Sequence, residues 1–133
     1  MDIIEFRGKR VDNGEWVYGY VDATMYKDIV VIHTETGTFG VNPDTVGQYT
    51  GIVDSEGNRI FEGDIIQGEM EYKHLIRYDA SCTRFAAILT DYVNDKISED
   101  FWTGSLEKRW VDEFHKVVVG NRYDNPEIIG SGK

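Results

Sequence analysis

Proton transfer, metal binding and nucleophilic attack draw on few side-chain types. Of these the 133-residue chain holds three histidines, one cysteine and 24 carboxylates. His33, His74 and His115 lie far apart and share no i, i+4 ligand spacing, so with Cys82 they could form a zinc site only by tertiary convergence. Asp54-Ser55-Glu56-Gly57-Asn58 begins like a calcium loop, with oxygen-bearing side chains at alternate positions. Arg59 then occupies the sixth position, where such a loop needs glycine, and Ile65 the twelfth, where it needs a bidentate acid. That segment reads as a hairpin turn. Gly37-Thr38-Phe39-Gly40 is followed by no Gly-Lys-Ser/Thr and opens no helix, so it is not a phosphate cradle. A Gly-x-Ser-x-Gly nucleophile elbow is absent from the sequence. With 24 acids in the chain some pair is always adjacent, so no carboxylate pair is singled out for acid–base work. Cys82 sits in Ala80-Ser81-Cys82-Thr83-Arg84, between two expected strands, and reads as a turn or core residue. The sequence therefore assigns no catalytic residue, no metal ligand and no cofactor.

Binding is the chemistry left. Trp16, Tyr18 and Tyr20 alternate along one expected strand and share a face. With Tyr49 they could stack bases or sugars, although a same-face aromatic row is more often core or subunit interface. The basic residues nearest to them, Arg7, Lys9 and Arg10, are offset by Asp12 and Glu15. Glu62-Gly63-Asp64, and Asn121 with Asn125, offer polar groups at turns where a ligand could sit. Trp16, Tyr18, Tyr20, Tyr49, Glu62, Asp64, Asn121 and Asn125 are the candidate interface or binding residues.

Period-two patterning governs the elements that must position them. Asp12-Asn13-Gly14 is a tight-turn signal between residues 3–10 and 15–22, which predicts a hairpin. Residues 28–33 and 38–41 form a second pair about Thr36-Gly37. Asn42-Pro43 breaks the β pattern, and Thr45-Val46-Gly47-Gln48 has capping-box spacing, which predicts one helical turn from Thr45. Strands are expected over 59–67, broken at Gly63, over 72–78 and over 84–93. Residues 94–104 read as polar and irregular. Leu106, Trp110 and Phe114 then recur at i, i+4, i+8 and predict a short helix capped by Ser105. Val117–Val119 reads as a closing strand and residues 130–133 as a flexible tail. The fold expected is mainly β: a small barrel- or sandwich-like antiparallel domain with one short helix. It spans residues 1–129 as a single domain, with a sub-layer over 1–50. Gly57-Asn58-Arg59 before Ile65-Ile66 resembles Gly120-Asn121-Arg122 before Ile128-Ile129, which coincident turn chemistry accounts for.

Composition bounds the function. Fourteen Lys and Arg against 24 acids leave 14 − 24 = −10. A pI near 4.6 argues against general nucleic-acid binding, which runs on cations displacing phosphate counterions. The 41% hydrophobic and 13% aromatic content argues against disorder. One cysteine permits no intrachain disulfide. The first residues lack a signal-peptide pattern, and no apolar run nears the roughly 20 residues a membrane helix needs. These features predict a cytoplasmic protein with no membrane contact.

Three blocks resemble the YopX family of phage and prophage proteins. They are Phe6–Arg10 with Asn13–Gly19, then Asn42–Gly51 through Asp54 and Gly57 into Ile60–Ile66, and last Val119-Gly120-Asn121 with Tyr123–Ile129. They cover about half the chain in the family's order. Residues 67–116 match no such pattern, and Arg122 stands where the pattern suggests an apolar residue. The resemblance implies a phage or prophage gene in a bacterial host, a mainly β fold and homo-oligomers, with no established activity and no catalytic residues to carry over. The leading expectation is a non-catalytic accessory protein that self-associates and binds an unidentified phage or host protein. An acidic DNA mimic or host-enzyme inhibitor is an alternative, weakened by cations interleaved among the acids, as in Asp112–Lys116. A small enzyme with no recognised motif is another.

Overall fold

A computed structural model of the chain describes residues 5–22, 30–93 and 103–129. It is mainly β, with two antiparallel sheets, neither closed into a barrel, and one short α-helix among the described residues. The backbone divides into two compact units, Met1–Gly51 and Ile52–Lys133.

The first unit is built on a hairpin. Strands β1 (Phe6–Lys9) and β2 (Trp16–Asp22) pair with Phe6 opposite Gly19 and Lys9 opposite Trp16. Gly14 takes φ +75° in the connecting turn, and the Asn13 side chain accepts the Glu15 N–H at 2.9 Å. β3 (Val30–His33) pairs with β2, and β4 (Thr38–Val41) pairs with β3. β5 (Gly47–Val53) lies along β1 with Phe6 opposite Gln48. Ile32 and Val41 are buried where Gly8 lets them close on β1.

The turn after β4 differs from expectation. It is a 3-10 turn over Pro43–Thr45, with Asn42 as its cap accepting the Asp44 N–H at 3.0 Å, while Gln48 lies in β5. Proline at the first position supplies a preset φ and lacks only an N–H that needs no partner there. The Thr45 hydroxyl is occupied elsewhere: it accepts the Lys9 N–H at 2.9 Å and donates to the Asn42 carbonyl at 2.7 Å.

The second unit begins in the last residues of β5, which turn through Asp54–Asn58 into β6 (Arg59–Phe61). A five-stranded sheet follows, ordered β10-β9-β8-β7-β11. Its strands are β7 (Asp64–Gln67), β8 (Lys73–Asp79), β9 (Arg84–Leu89), β10 (Thr103–Ser105) and β11 (Val117–Asn121), with helix α1 (Lys108–Glu113) before the last. Both faces of β7 are buried. On one, Ile66 and Ile76 pack with Ile60, Leu106 and Val111; on the other, Ile65 packs with Leu75, Ile88 and Val93.

Three expectations shift here. Thr103 and Gly104 are strand rather than irregular, whereas 94–102 lie outside the described residues. Ser105 belongs to β10 and does not cap the helix, which starts at Lys108 after Glu107. Arg84 holds the Ser105 hydroxyl, and the Leu106 N–H reaches the Phe85 carbonyl at 3.0 Å, so this stretch stays tied to β9. The strand expected to reach Val93 ends at Leu89 in a 3-10 turn over Thr90–Tyr92. Ile65-Ile66 is buried strand while Ile128 closes a 3-10 turn, so the internal similarity marks no repeated unit. The expected tail, 130–133, falls outside the described residues.

Candidate functional site

In the first unit the aromatic row splits. Trp16 is half-buried, with the Arg7 guanidinium 4.4 Å and the Lys9 ammonium 5.5 Å from its ring centroid. Arg10 lies over Phe39 at 4.4 Å and pairs with Asp12 at 2.6 Å. Each residue of the basic cluster read from the sequence is thus stacked on an aromatic ring. Tyr49 is buried in β5. Tyr18 and Tyr20 face solvent, 44% and 71% exposed, so the core half of their expected role does not hold. Strand alternation sends them outward while Val17, Gly19 and Val21 point the other way.

These two tyrosines line a groove of about 830 Å³ with His33, Glu5 and Glu35. Tyr20 sits opposite His33 in the β2–β3 register. The His33 ring is held at both nitrogens, Nδ1 2.9 Å from the Thr38 hydroxyl and Nε2 3.6 Å from the Asp22 carboxylate. Gly19 makes this approach possible, since a Cβ there would run into the His33 carbonyl. Glu35 rides on a turn fixed by Thr34, whose hydroxyl oxygen accepts the N–H groups of Thr36 and Gly37 at 3.2 and 3.1 Å. The wall is rigid, aromatic and edged with acid.

In the second unit the structure brings together the other four candidates and gives them structural work. Asp64 is opposite Asn121 in the β7–β11 register, and the Gly63 carbonyl accepts the Arg122 N–H at 2.9 Å. The buried Asp64 carboxylate accepts the Phe61 N–H at 2.7 Å, closing the turn in which Gly63 takes φ +96°. Asn121 accepts the N–H groups of Tyr123 and Asp124 at 3.0 and 2.9 Å and donates to the Asp124 carboxylate at 3.0 Å. Asn125 returns an oxygen to the Asn121 N–H at 3.2 Å, and Glu62 takes the Tyr78 N–H at 3.4 Å. Polar groups used this way hold turns.

Sequence reasoning passed over a third place. His74 of β8, Trp110 of α1 and Gly104 of β10 border a groove of about 590 Å³. The His74 ring meets Trp110 edge-on at 5.1 Å, and its buried Nδ1 has no hydrogen-bond partner. Burial first, and then the charge of Lys116, push its pKa down to about 4. Lys116 is itself buried, its ammonium 4.7 Å from the Trp110 centroid, and burial lowers its pKa. Only the shared strand face of His74 and Ile76 hinted at this in the sequence. Three or more His, Cys, Asp or Glu able to hold a metal ion do not converge anywhere among the described residues.

Comparison with known proteins adds the following. A family model described as YopX protein matches residues 5–130. No curated protein matches the chain. The crystal structure of protein EF1440 from Enterococcus faecalis is similar in fold, with a TM-score of 0.58 and 20% identity, covering 97% of this chain and 99% of that one.

Proposed function

This chain belongs to the YopX family, and from that premise we propose a non-catalytic phage or prophage accessory protein that self-associates and acts by binding another protein in the host cytoplasm. One observation carries the reading: β2 holds Tyr18 and Tyr20 side by side in solvent, Tyr20 at 71% exposure, over a groove with a fixed wall. Large rigid aromatics lose little side-chain entropy on contact and are enriched at protein interfaces. Self-association has a separate seat. Met70, Tyr72 and Phe114 stand exposed where the β7–β8 turn meets the end of α1, with Glu69 paired to His115 at 3.0 Å beside them. A chain of net charge −10 meets its own copy most readily over such an apolar surface.

Multi-angle light scattering over a concentration series tests this. The expected mass is that of a dimer or larger assembly, falling to a monomer in a Tyr72→Ser, Phe114→Ser double variant. A strict monomer throughout would overturn self-association.

A further inference from the structure

We propose that the groove beside β2 takes an extended basic segment of the partner protein, with an arginine or lysine side chain lying over Tyr20 and paired with Glu35. The proposal deepens the protein-binding reading and rests on it. Elsewhere in the same unit, half-buried rings already carry cations from this chain: Arg7 and Lys9 lie over Trp16, and Arg10 over Phe39. Tyr20 is more exposed than Tyr18, and among the described residues no cation is stacked on it. A cation over an aromatic face is attracted by the ring quadrupole, most strongly for a guanidinium that can stack flat.

Charge selects the occupant. Glu5 and Glu35 border the groove, and Asp22 lies behind His33. Among the described residues His33 is the one basic side chain on this wall, and the Asp22 carboxylate sits 3.6 Å from it. A second copy would bring the same carboxylates and a net charge of −10 to this surface, so repulsion disfavours it. A basic segment meets complementary potential here, which also speeds its encounter at low salt. The preset geometry favours the same ligand. Thr34 fixes the turn that carries Glu35, and the close approach at Gly19 fixes Tyr20 against His33, so neither side chain's backbone must be ordered on binding.

The test is fluorescence anisotropy with a labelled arginine-rich peptide. The same peptide with citrulline for arginine, which keeps shape and loses charge, is the comparison. The arginine peptide should bind in a salt-sensitive way, and the citrulline peptide should not. Tyr20→Ala should weaken binding by about three- to tenfold, and Glu35→Gln by about two- to fivefold. Both positions are exposed, so the fold should survive, as circular dichroism would confirm. Loss of affinity on Tyr20→Ala but none on Glu35→Gln, with the citrulline peptide binding as tightly as the arginine one, would overturn the cationic occupant. If the citrulline peptide binds as well and Tyr20→Ala still abolishes it, the cationic partner falls while the protein-binding surface stands. If no peptide responds to Tyr20→Ala, both fall together.

Discussion

His74 shows how a single side chain can carry a measurable pH dependence without any catalytic role. Its ring lies against Trp110 with Nδ1 buried, and Lys116 places a second positive charge nearby. Charging the imidazole in the folded state is therefore costly, and its pKa falls from 6.5 to about 4. Between those values the unfolded chain binds a proton that the folded chain refuses. The stabilising contribution is complete above pH 6.5 and is lost as pH falls toward 4. By the linkage relation the loss should reach roughly 3 kcal/mol at the acid end. Urea unfolding of wild type and His74→Gln at neutral and acidic pH checks this. The glutamine variant should lose most of the acid sensitivity in that window; an unchanged pH slope would mean His74 is not its source.

Elements in the second unit are joined by side chains as much as by ladders, and Asp54 is the clearest joint. Its buried carboxylate accepts the N–H groups of Glu56 and Asn58 on Oδ1 at 2.9 and 2.8 Å, and that of Val118 on Oδ2 at 3.0 Å. One group thus closes the β5–β6 turn and satisfies β11, the edge strand of the five-stranded sheet. Desolvation pushes the carboxyl pKa up, but the Val118, Asn58 and Glu56 donors together outweigh it, and the net direction is down. Asp54→Ala should cost about 3 kcal/mol, because buried donors are left without acceptors. Asp54→Asn should cost nearly as much, about 2 kcal/mol, since an amide NH2 would face a backbone N–H. Denaturant midpoints for the two variants decide it; a neutral Asn would show that charge and acceptor geometry do not matter. The sequence marked 54–58 correctly as a turn, yet nothing local in it tells that Asp54 also reaches Val118, 64 positions on. The same limit explains Ser105, whose cap-like identity is overridden by Arg84 from the neighbouring strand. Strands with clear alternation and Gly or Asn turns were legible, as in β1–β2 and β6–β7. The candidate binding residues are legible by type only. Alternation put Tyr18 and Tyr20 on one face, but whether that face meets solvent or core depends on strands distant in sequence. Asn121 and Asn125 look identical in sequence whether they hold a ligand or a turn.

Across the whole chain, charge and packing are distributed differently. The net charge of −10 belongs to a chain in which, among the described residues, Arg10 pairs with Asp12 and Lys108 with Asp112 at 2.9 Å. The excess of acid biases which partners approach, favouring cationic ones. Packing is uneven. Both hydrophobic clusters among the described residues, centred on Ile66 and on Ile65, lie wholly within Ile52–Lys133. Among the described residues of the first unit the buried apolar side chains are fewer: Ile32 and Val41, with Tyr49 at the margin. Local opening free energy follows buried apolar contact, so a thinly packed unit should open without the rest. Amides of β7, β8 and β9 should then exchange slowest, near the global unfolding free energy. Those of β2, β3 and β4 should exchange faster, through an opening that exposes less surface and is less sensitive to denaturant. Native-state hydrogen exchange in low urea resolves the two, because global and partial openings differ in urea slope. Convergence of all the described strands on one slope and one free energy would show a single cooperative unit, and the partition at Gly51 would then have no energetic meaning. Separate slopes would place the exposed tyrosines of β2 on the part of the molecule that opens more readily, where a bound partner would slow exchange most.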